Sequence, residues 1–105
     1  MKAPESRIAS EKELHQEIAA ILDAKGIVFV RSRMDKRTTN RKGTPDFLFS
    51  IRGHSFAWEV KTEKGRLSLD QERMLDRMSN PPNNWNVSVI RSAGEAIKKL
   101  YELGA

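Results

Sequence analysis

The sequence predicts an α/β domain in which a mixed central sheet is flanked by helices. Three stretches begin with an S-x-x-(E/Q) pattern, the sequence form of a helix capping box, and two of them continue with a clear apolar stripe at helical spacing. Four runs rich in β-branched and aromatic residues are typical of strands, and a helix separates the last two runs. A strand–helix–strand crossover makes that pair parallel, so the predicted order is α-β-β-β-α-β-α.

The first helix is predicted at about residues 11–25. Ser10 and Glu13 form its capping box, and Gly26 can end it as a C-cap. Its apolar stripe consists of Leu14, Ile18, Ile21 and Leu22. The run Ile27–Met34 that follows predicts the first strand.

A polar segment over residues 35–45 separates the first strand from a predicted hairpin. The hairpin strands are predicted at residues 46–52 and 55–63. Gly53 and His54 are predicted to form the tight turn, because glycine adopts a positive φ at little cost.

The second helix is predicted at about residues 69–79, where Ser68 and Gln71 form a capping box. Two prolines in the stretch 80–84 end this helix, and residues 85–92 predict the fourth strand.

The third helix begins after a capping box formed by Ser92 and Glu95 and is closed by Gly104. Its apolar stripe consists of Ala96, Ile97, Leu100 and Leu103.

Length and composition indicate a single globular domain over residues 1–105, with about the first eight residues frayed. No apolar run approaches the roughly 20 residues that span a bilayer, and the N-terminus lacks the apolar core of a signal peptide. We therefore expect a cytoplasmic protein.

The absence of cysteine excludes disulfides, thiolate zinc sites and cysteine nucleophiles. With only two histidines, His15 and His54, any metal must be held mainly by oxygen ligands, which favours Mg²⁺ or Mn²⁺. The net charge is +5, from 19 Lys and Arg against 14 Asp and Glu. Such a surplus favours a polyanion such as nucleic acid as partner, although an ordinary solvated basic face has the same composition.

Asp46, Glu59 and Lys61 form the constellation that points most clearly to chemistry. Residues two apart on a strand share a face, so Glu59 and Lys61 project together, and Asp46 begins the adjacent strand. Two neighbouring carboxylates repel each other unless a cation lies between them. A bound magnesium ion can activate water and stabilise charge on a phosphate, and Lys61 can orient that water. An ordinary solvated Glu–Lys pair on an edge strand is the simpler alternative.

The stretch "RKGTPDFLF…FAWEVKTEKGRLSLDQERML" resembles the VRR-NUC domain, a branch of the restriction-endonuclease-like nuclease superfamily. That branch shows G-x-P-D, then E-V-K, then K-G-R-L-S-x-x-Q, and the resemblance covers Arg41 to about Leu75. It implies a restriction-endonuclease-like core and a metal-dependent nuclease.

The resemblance also implies roles for individual residues. Asp46, Glu59 and the backbone carbonyl of Val60 would bind the divalent metal, and Lys61 would assist the attacking water. Gln71 falls on a helix-borne glutamine of the family, and it lies in phase with apolar residues that face inward. Its place in the Ser68 capping box explains it equally well.

The family carries a further site glutamate on its first helix, and three residues compete for that position. Glu11 lies closest to the apolar stripe and is the first choice as a catalytic and metal-binding residue, followed by Glu17 and then Glu13. The glutamine that the family shows four residues later is His15 here, which leaves the choice open.

Basic residues flank the proposed site and could hold DNA phosphates without reading sequence. The candidates are Arg31, Arg33, Arg37, Arg41, Lys42, Lys64 and Arg66. Any one of them could also be an ordinary surface cation.

The leading expectation is a structure-selective DNA endonuclease without a nucleotide cofactor, associated with the nucleoid when bound to DNA. By analogy with junction resolvases, it would act as a homodimer on branched DNA such as Holliday junctions. Trp85, Tyr101 and the flank of the third helix are interface candidates. The alternatives are a nuclease for flaps, nicks or duplex ends, and a non-catalytic basic module that binds nucleic acid.

Overall fold

The computed structural model of the chain describes residues 10–32 and 42–105. Its helices and strands are α1 (Glu11–Ala24), β1 (Phe29–Arg31), β2 (Phe47–Ile51), β3 (His54–Val60), α2 (Leu69–Ser79), β4 (Asn86–Ile90) and α3 (Ala93–Glu102). The predicted order α-β-β-β-α-β-α is confirmed.

The four strands form one mixed sheet in the order β1-β2-β3-β4. β1 pairs with β2 and β2 with β3 in antiparallel fashion, whereas β3 and β4 are parallel. The predicted hairpin and the predicted parallel pair are thus both present. A mixed sheet flanked by helices is the architecture expected of a restriction-endonuclease-like core.

The hairpin turn differs from its prediction. Arg52 and Gly53 form the turn, and His54 is the first residue of β3. Both turn residues have positive φ, 52° and 84°, the signature of a type I′ turn that matches the strand twist. The guanidinium of Arg52 donates to the carbonyls of Leu103 and Gly104, at 3.2 and 3.3 Å, which ties the turn to the end of α3.

The two faces of the sheet are covered by different helices. Phe56, Trp58 and Val60 point to one face of β3 and are buried with apolar residues of α1 and α3. The buried cluster comprises Leu14, Ile18, Leu22, Phe47, Phe49, Phe56, Trp58, Val60, Ile90, Ala96 and Leu100. Glu59 points to the opposite face, where it bonds to Gln71 of α2. This alternation places a charged residue on the α2 side of an otherwise apolar strand.

Two of the three predicted capping boxes are complete. At Ser10–Glu13 and Ser68–Gln71, each serine side chain accepts from the third helical N–H, and the longer side chain accepts from the serine N–H. At α3 the box is incomplete, because the Glu95 carboxylate accepts from the N–H of Arg91 at 2.7 Å. The prediction of a third full box is therefore wrong.

The predicted fraying of the first eight residues lies outside the described part of the chain, as does the end of the first predicted strand. Within residues 10–32 and 42–105, no helix has the length and apolar character needed to span a membrane.

Candidate active site

Asp46 directly precedes β2, follows the buried Pro45 and is only 3% exposed. Its Oδ2 accepts a hydrogen bond from the Val60 N–H at 2.8 Å. This bond fixes the carboxyl group beside the end of β3, next to the strand residue Glu59. The sequence expectation that the two acids come alongside each other is met by the pairing of β2 with β3.

Glu59 is 2% exposed and is held mainly through one of its oxygens. Its Oε2 accepts from Gln71 Nε2 at 2.9 Å and lies 4.0 Å from Lys61 Nζ. Its Oε1 is buried and has no hydrogen-bond partner among the residues that the structure describes. A buried carboxylate oxygen without a donor is costly, so this atom is the point at which a bound cation would be most stabilising.

Burial raises the pKa of the Glu59 carboxyl to about 8, and the charge of Asp46 adds to the rise. The ammonium group of Lys61 acts in the opposite direction but does not compensate. Burial also raises the pKa of Asp46, although the Val60 N–H and His15 oppose this. Glu59, with a pKa of about 8, keeps its proton at neutral pH and can give it up to a divalent cation, which favours the ionised form of both acids.

Gln71 forms the predicted helix cap and also contacts an acid of the candidate site. Its Oε1 accepts from the Ser68 N–H at 2.8 Å as the third residue of the α2 cap. Its Nε2 donates to Glu59 Oε2. The start of α2 is thereby attached directly to the acid on β3.

Among the first-helix glutamates, Glu11 is linked to the site through a histidine. His15 Nε2 lies 3.6 Å from Glu11 Oε2 and 3.6 Å from Asp46 Oδ2. Glu13 serves the α1 cap, where it accepts from the Ser10 N–H, and Glu17 is exposed. The structure thus places the first choice nearest the site, and its catalytic role remains a prediction.

Sequence reasoning did not identify His15 as a site residue. Its side chain is only 12% exposed and lies between two carboxylates. The available signal was that it occupies the position, four residues after Glu11, at which the family shows a glutamine. The contact with Asp46, however, depends on how α1 packs against the sheet.

The residues present suit a hard cation held by few protein ligands. Across the described residues, no three His, Asp or Glu side chains are grouped closely enough to hold a metal ion. Glu11 is not grouped with Asp46 and Glu59 in this arrangement, and its role as a metal ligand stays a prediction. Mg²⁺ is commonly bound through one or two carboxylates while it keeps several waters, and the free Oε1 of Glu59 fits that mode.

The basic residues proposed to hold phosphates are only partly described. Arg31, Lys42, Lys64 and Arg66 are all exposed, and the Arg31 guanidinium lies 5.3 Å from the centre of the Phe47 ring. The other candidates, Arg33, Arg37 and Arg41, lie outside the described residues.

Comparison with known proteins identifies the family of the chain. The family model of the VRR-NUC domain matches residues 3–94, a span that includes both carboxylates, Lys61 and Gln71. Searches of curated proteins and of solved structures gave no match. Because the family model covers most of the chain, the protein belongs to the VRR-NUC family and is a nuclease-type domain.

Proposed function

We propose that this chain is a divalent-metal-dependent, structure-selective DNA endonuclease that acts as a homodimer on branched DNA such as Holliday junctions. The observation that carries the metal dependence is the buried pair of Asp46 and Glu59, with one Glu59 oxygen that has no donor in the described part of the chain. A binding module would gain nothing from two adjacent acids buried within a basic domain.

Asp46, Glu59 and the carbonyl of Val60 would hold Mg²⁺ or Mn²⁺, with Glu11 as a further candidate. When bound there, the cation supplies activation of water and neutralisation of phosphate charge. Gln71 keeps the Glu59 carboxylate in place by donating to Oε2. Lys61, with its amine 4.0 Å from the same oxygen, is placed to orient the attacking water and to meet negative charge that develops on the phosphate.

The charge distribution supports DNA as the polyanion. Lys42 lies just before Asp46 in the chain, and Lys64 and Arg66 follow Lys61 closely, all with exposed side chains. Contacts of this kind position the phosphate backbone and carry no sequence information, so the geometry of the DNA would decide where cleavage occurs.

The homodimer is supported by analogy and by exposed apolar residues on α3. A two-fold dimer matches the two-fold symmetry of a four-way junction and can nick both strands. Tyr101 is 80% exposed and Ile97 is 51% exposed on the same flank of α3, whereas Trp85 is half-buried. The α3 flank is therefore a better interface candidate than Trp85.

A nicking assay on a labelled four-way junction and on a linear duplex of the same sequence tests the proposal. With Mg²⁺ we expect the wild type to cleave the junction in preference to the duplex. Lys61→Ala should lower kcat by about 10²- to 10³-fold, with Asp46→Asn and Glu59→Gln at least as impaired. Asp23→Asn changes an exposed acid in the last turn of α1 and should leave cleavage unchanged.

Each alternative gives a different pattern. Equal cleavage by all variants would refute the active site, and equal cleavage of duplex and junction would refute the substrate. Preference for flaps, nicks or ends in a panel of DNA shapes would point to a processing nuclease. DNA binding that weakens with salt but never leads to metal-dependent cleavage would indicate a non-catalytic module.

A further inference from the structure

Arg91, the residue directly after β4, forms hydrogen bonds to the backbone of a neighbouring loop. Its Nη1 donates to the carbonyl oxygens of Thr62 and Gly65 at 2.8 and 2.7 Å, and to that of Glu63 at 3.3 Å. Its own N–H donates to the Glu95 carboxylate at the start of α3. Arg91 thus links the end of β4 to the loop through its guanidinium and to the start of α3 through its backbone N–H.

The loop held by Arg91, residues 62–67, connects two parts of the candidate active site. Lys61 precedes it, and Ser68, the N-cap of the helix that carries Gln71, follows it. In the described structure, the backbone hydrogen bond within this loop is the turn bond from the Gly65 N–H to the Thr62 carbonyl. The three bonds from Arg91 therefore make up most of the hydrogen bonds to backbone atoms of this loop in the described structure.

The direction of these bonds determines what the loop presents to solvent. Its carbonyls turn towards Arg91, whereas the side chains of Lys64 and Arg66 are exposed. A planar guanidinium presents several N–H groups in a fixed geometry, which a lysine ammonium on its flexible stem does not reproduce. Arg91 is thus engaged with backbone oxygens in the protein, and Lys64 and Arg66 are left to meet an external anion.

We propose that Arg91 is a positioning residue that fixes the loop so that Lys64 and Arg66 meet DNA phosphates beside the active site. This role rests on the nuclease function proposed above. This role differs from that of a phosphate ligand, because Arg91 acts on DNA binding through the loop. A positive charge at this position is not sufficient for that role.

The test compares Arg91→Lys and Arg91→Ala with Arg52→Lys and Arg52→Ala. Arg52 is the matched control, because its guanidinium also bonds backbone carbonyls but lies at the opposite end of β3. Binding of the full chain to a labelled four-way junction is measured in Ca²⁺ over a series of salt concentrations, and cleavage is measured in Mg²⁺.

Both Arg91 variants should weaken binding about tenfold and reduce the slope of log K against log salt by about one, as expected when a phosphate contact is lost. The Arg52 variants should bind as the wild type does. If Arg91→Lys retains wild-type binding and slope, charge alone is sufficient and the positioning role is refuted. If the Arg52 variants lose as much DNA-binding affinity as the Arg91 variants do, the effect is general destabilisation and the positioning role is also refuted.

Amide hydrogen exchange of residues 62–66 tests the positioning role independently of any activity. Exchange there should be faster in Arg91→Lys than in the wild type or Arg52→Lys, because the loop has lost its anchor. Unchanged exchange would refute the role of Arg91. A wild type that neither binds nor cleaves DNA would refute the proposed function, and the exchange result would still decide whether Arg91 anchors the loop.

Discussion

The side chains on the two faces of β3 are buried to the same extent, but their burial has opposite effects on the stability of the fold. Trp58 is 1% exposed and Glu59 is 2% exposed, although they are adjacent in the chain. Trp58 contacts an apolar cluster, including the Phe49 ring, whose centre lies 4.9 Å away in an edge-to-face arrangement. Among residues 10–32 and 42–105, Glu59 accepts a hydrogen bond from Gln71, lies 4.0 Å from the Lys61 amine and has one oxygen without a hydrogen-bond partner.

The comparison distinguishes residues that stabilise the folded state from residues whose burial destabilises it. Burial of an apolar ring lowers the free energy of the folded chain, whereas burial of a carboxylate raises it unless partners compensate. Because both kinds of residue alternate on one short strand, the apolar face can hold the acid in place. Substitutions on the apolar face should therefore lower stability, whereas substitution of the buried acid should abolish cleavage without lowering stability.

The largest effect on stability is expected on the apolar face. Trp58→Ala should lower the free energy of unfolding by about 3–5 kcal/mol, because it leaves a cavity in the core. Glu59→Gln, the matched change on the other face, should leave stability unchanged or raise it while it abolishes cleavage. Chemical denaturation at pH 8 with a chelator present measures both. A large loss of stability in Glu59→Gln would contradict the distinction between the faces.

The next effect is a dependence of stability on pH that comes from Glu59. The pKa of this carboxyl rises from an ordinary 4.5 to about 8 on folding, so the folded chain keeps a proton that the unfolded chain has lost. The free energy of unfolding should therefore fall by a few kcal/mol as pH rises from about 4.5 to about 8. Asp46, whose pKa is also raised, acts in the same direction.

Thermal unfolding in chelator at several pH values measures this slope. The wild type should lose stability as pH rises through that range, and Glu59→Gln should lose markedly less. Addition of Mg²⁺ at pH 8 should restore stability to the wild type but not to Glu59→Gln. A wild-type midpoint that does not change with pH would show that Glu59 is ionised throughout.

The alternation that distinguishes the two faces was readable from the sequence. The period-two pattern placed Glu59 and Lys61 together, and the Ser68 capping box fixed where the helix carrying Gln71 begins. These are local signals, since spacing and capping depend on residues close in the chain. They were sufficient for the element order, the hairpin pairing and the parallel β3–β4 pair.

The features that could not be predicted from the sequence depend on contacts between residues that are distant in the chain or on packing of the helices. Arginine is an unusual residue at positive φ, so Arg52 did not signal a turn, and its bonds to Leu103 and Gly104 form only once α3 has packed. Glu95 bonds to Arg91 instead of completing its own cap. The contact of His15 with Asp46 likewise joins residues 31 positions apart, and no local pattern encodes it.

A smaller effect should come from the loop that leads to Asp46. Gly43 has φ of 84°, and an added Cβ would lie 2.6 Å from the Asp70 carbonyl carbon at the start of α2. Gly53 has the same φ but would meet nothing within 4 Å. Both alanine variants share the cost of positive φ. The free energy of unfolding should fall by about 1–3 kcal/mol more in Gly43→Ala, because the backbone at residue 43 must move away from that of Asp70.

The pair Gly43→Ala and Gly53→Ala also separates stability from function. Displacement of residues 43–46 would move Asp46 away from Glu59, so Gly43→Ala should lose cleavage while Gly53→Ala retains it. Denaturation midpoints and junction cleavage in Mg²⁺ check both variants. Equal behaviour of the two would show that the loop can shift without affecting the acid pair.

The smallest change in stability, about 1 kcal/mol, is expected at Gln71, where one side chain serves the cap and the site. Gln71→Glu retains an oxygen for the Ser68 N–H but replaces the donor to Glu59 with a second negative charge. The reciprocal swap Glu13→Gln changes the α1 cap, which accepts from Ser10. Over a Mg²⁺ titration, Gln71→Glu should have a lower cleavage rate at saturating Mg²⁺ and Glu13→Gln the wild-type rate, because only Gln71 holds a proposed metal ligand in place. If both swaps behave as the wild type, Gln71 is a helix cap and nothing more.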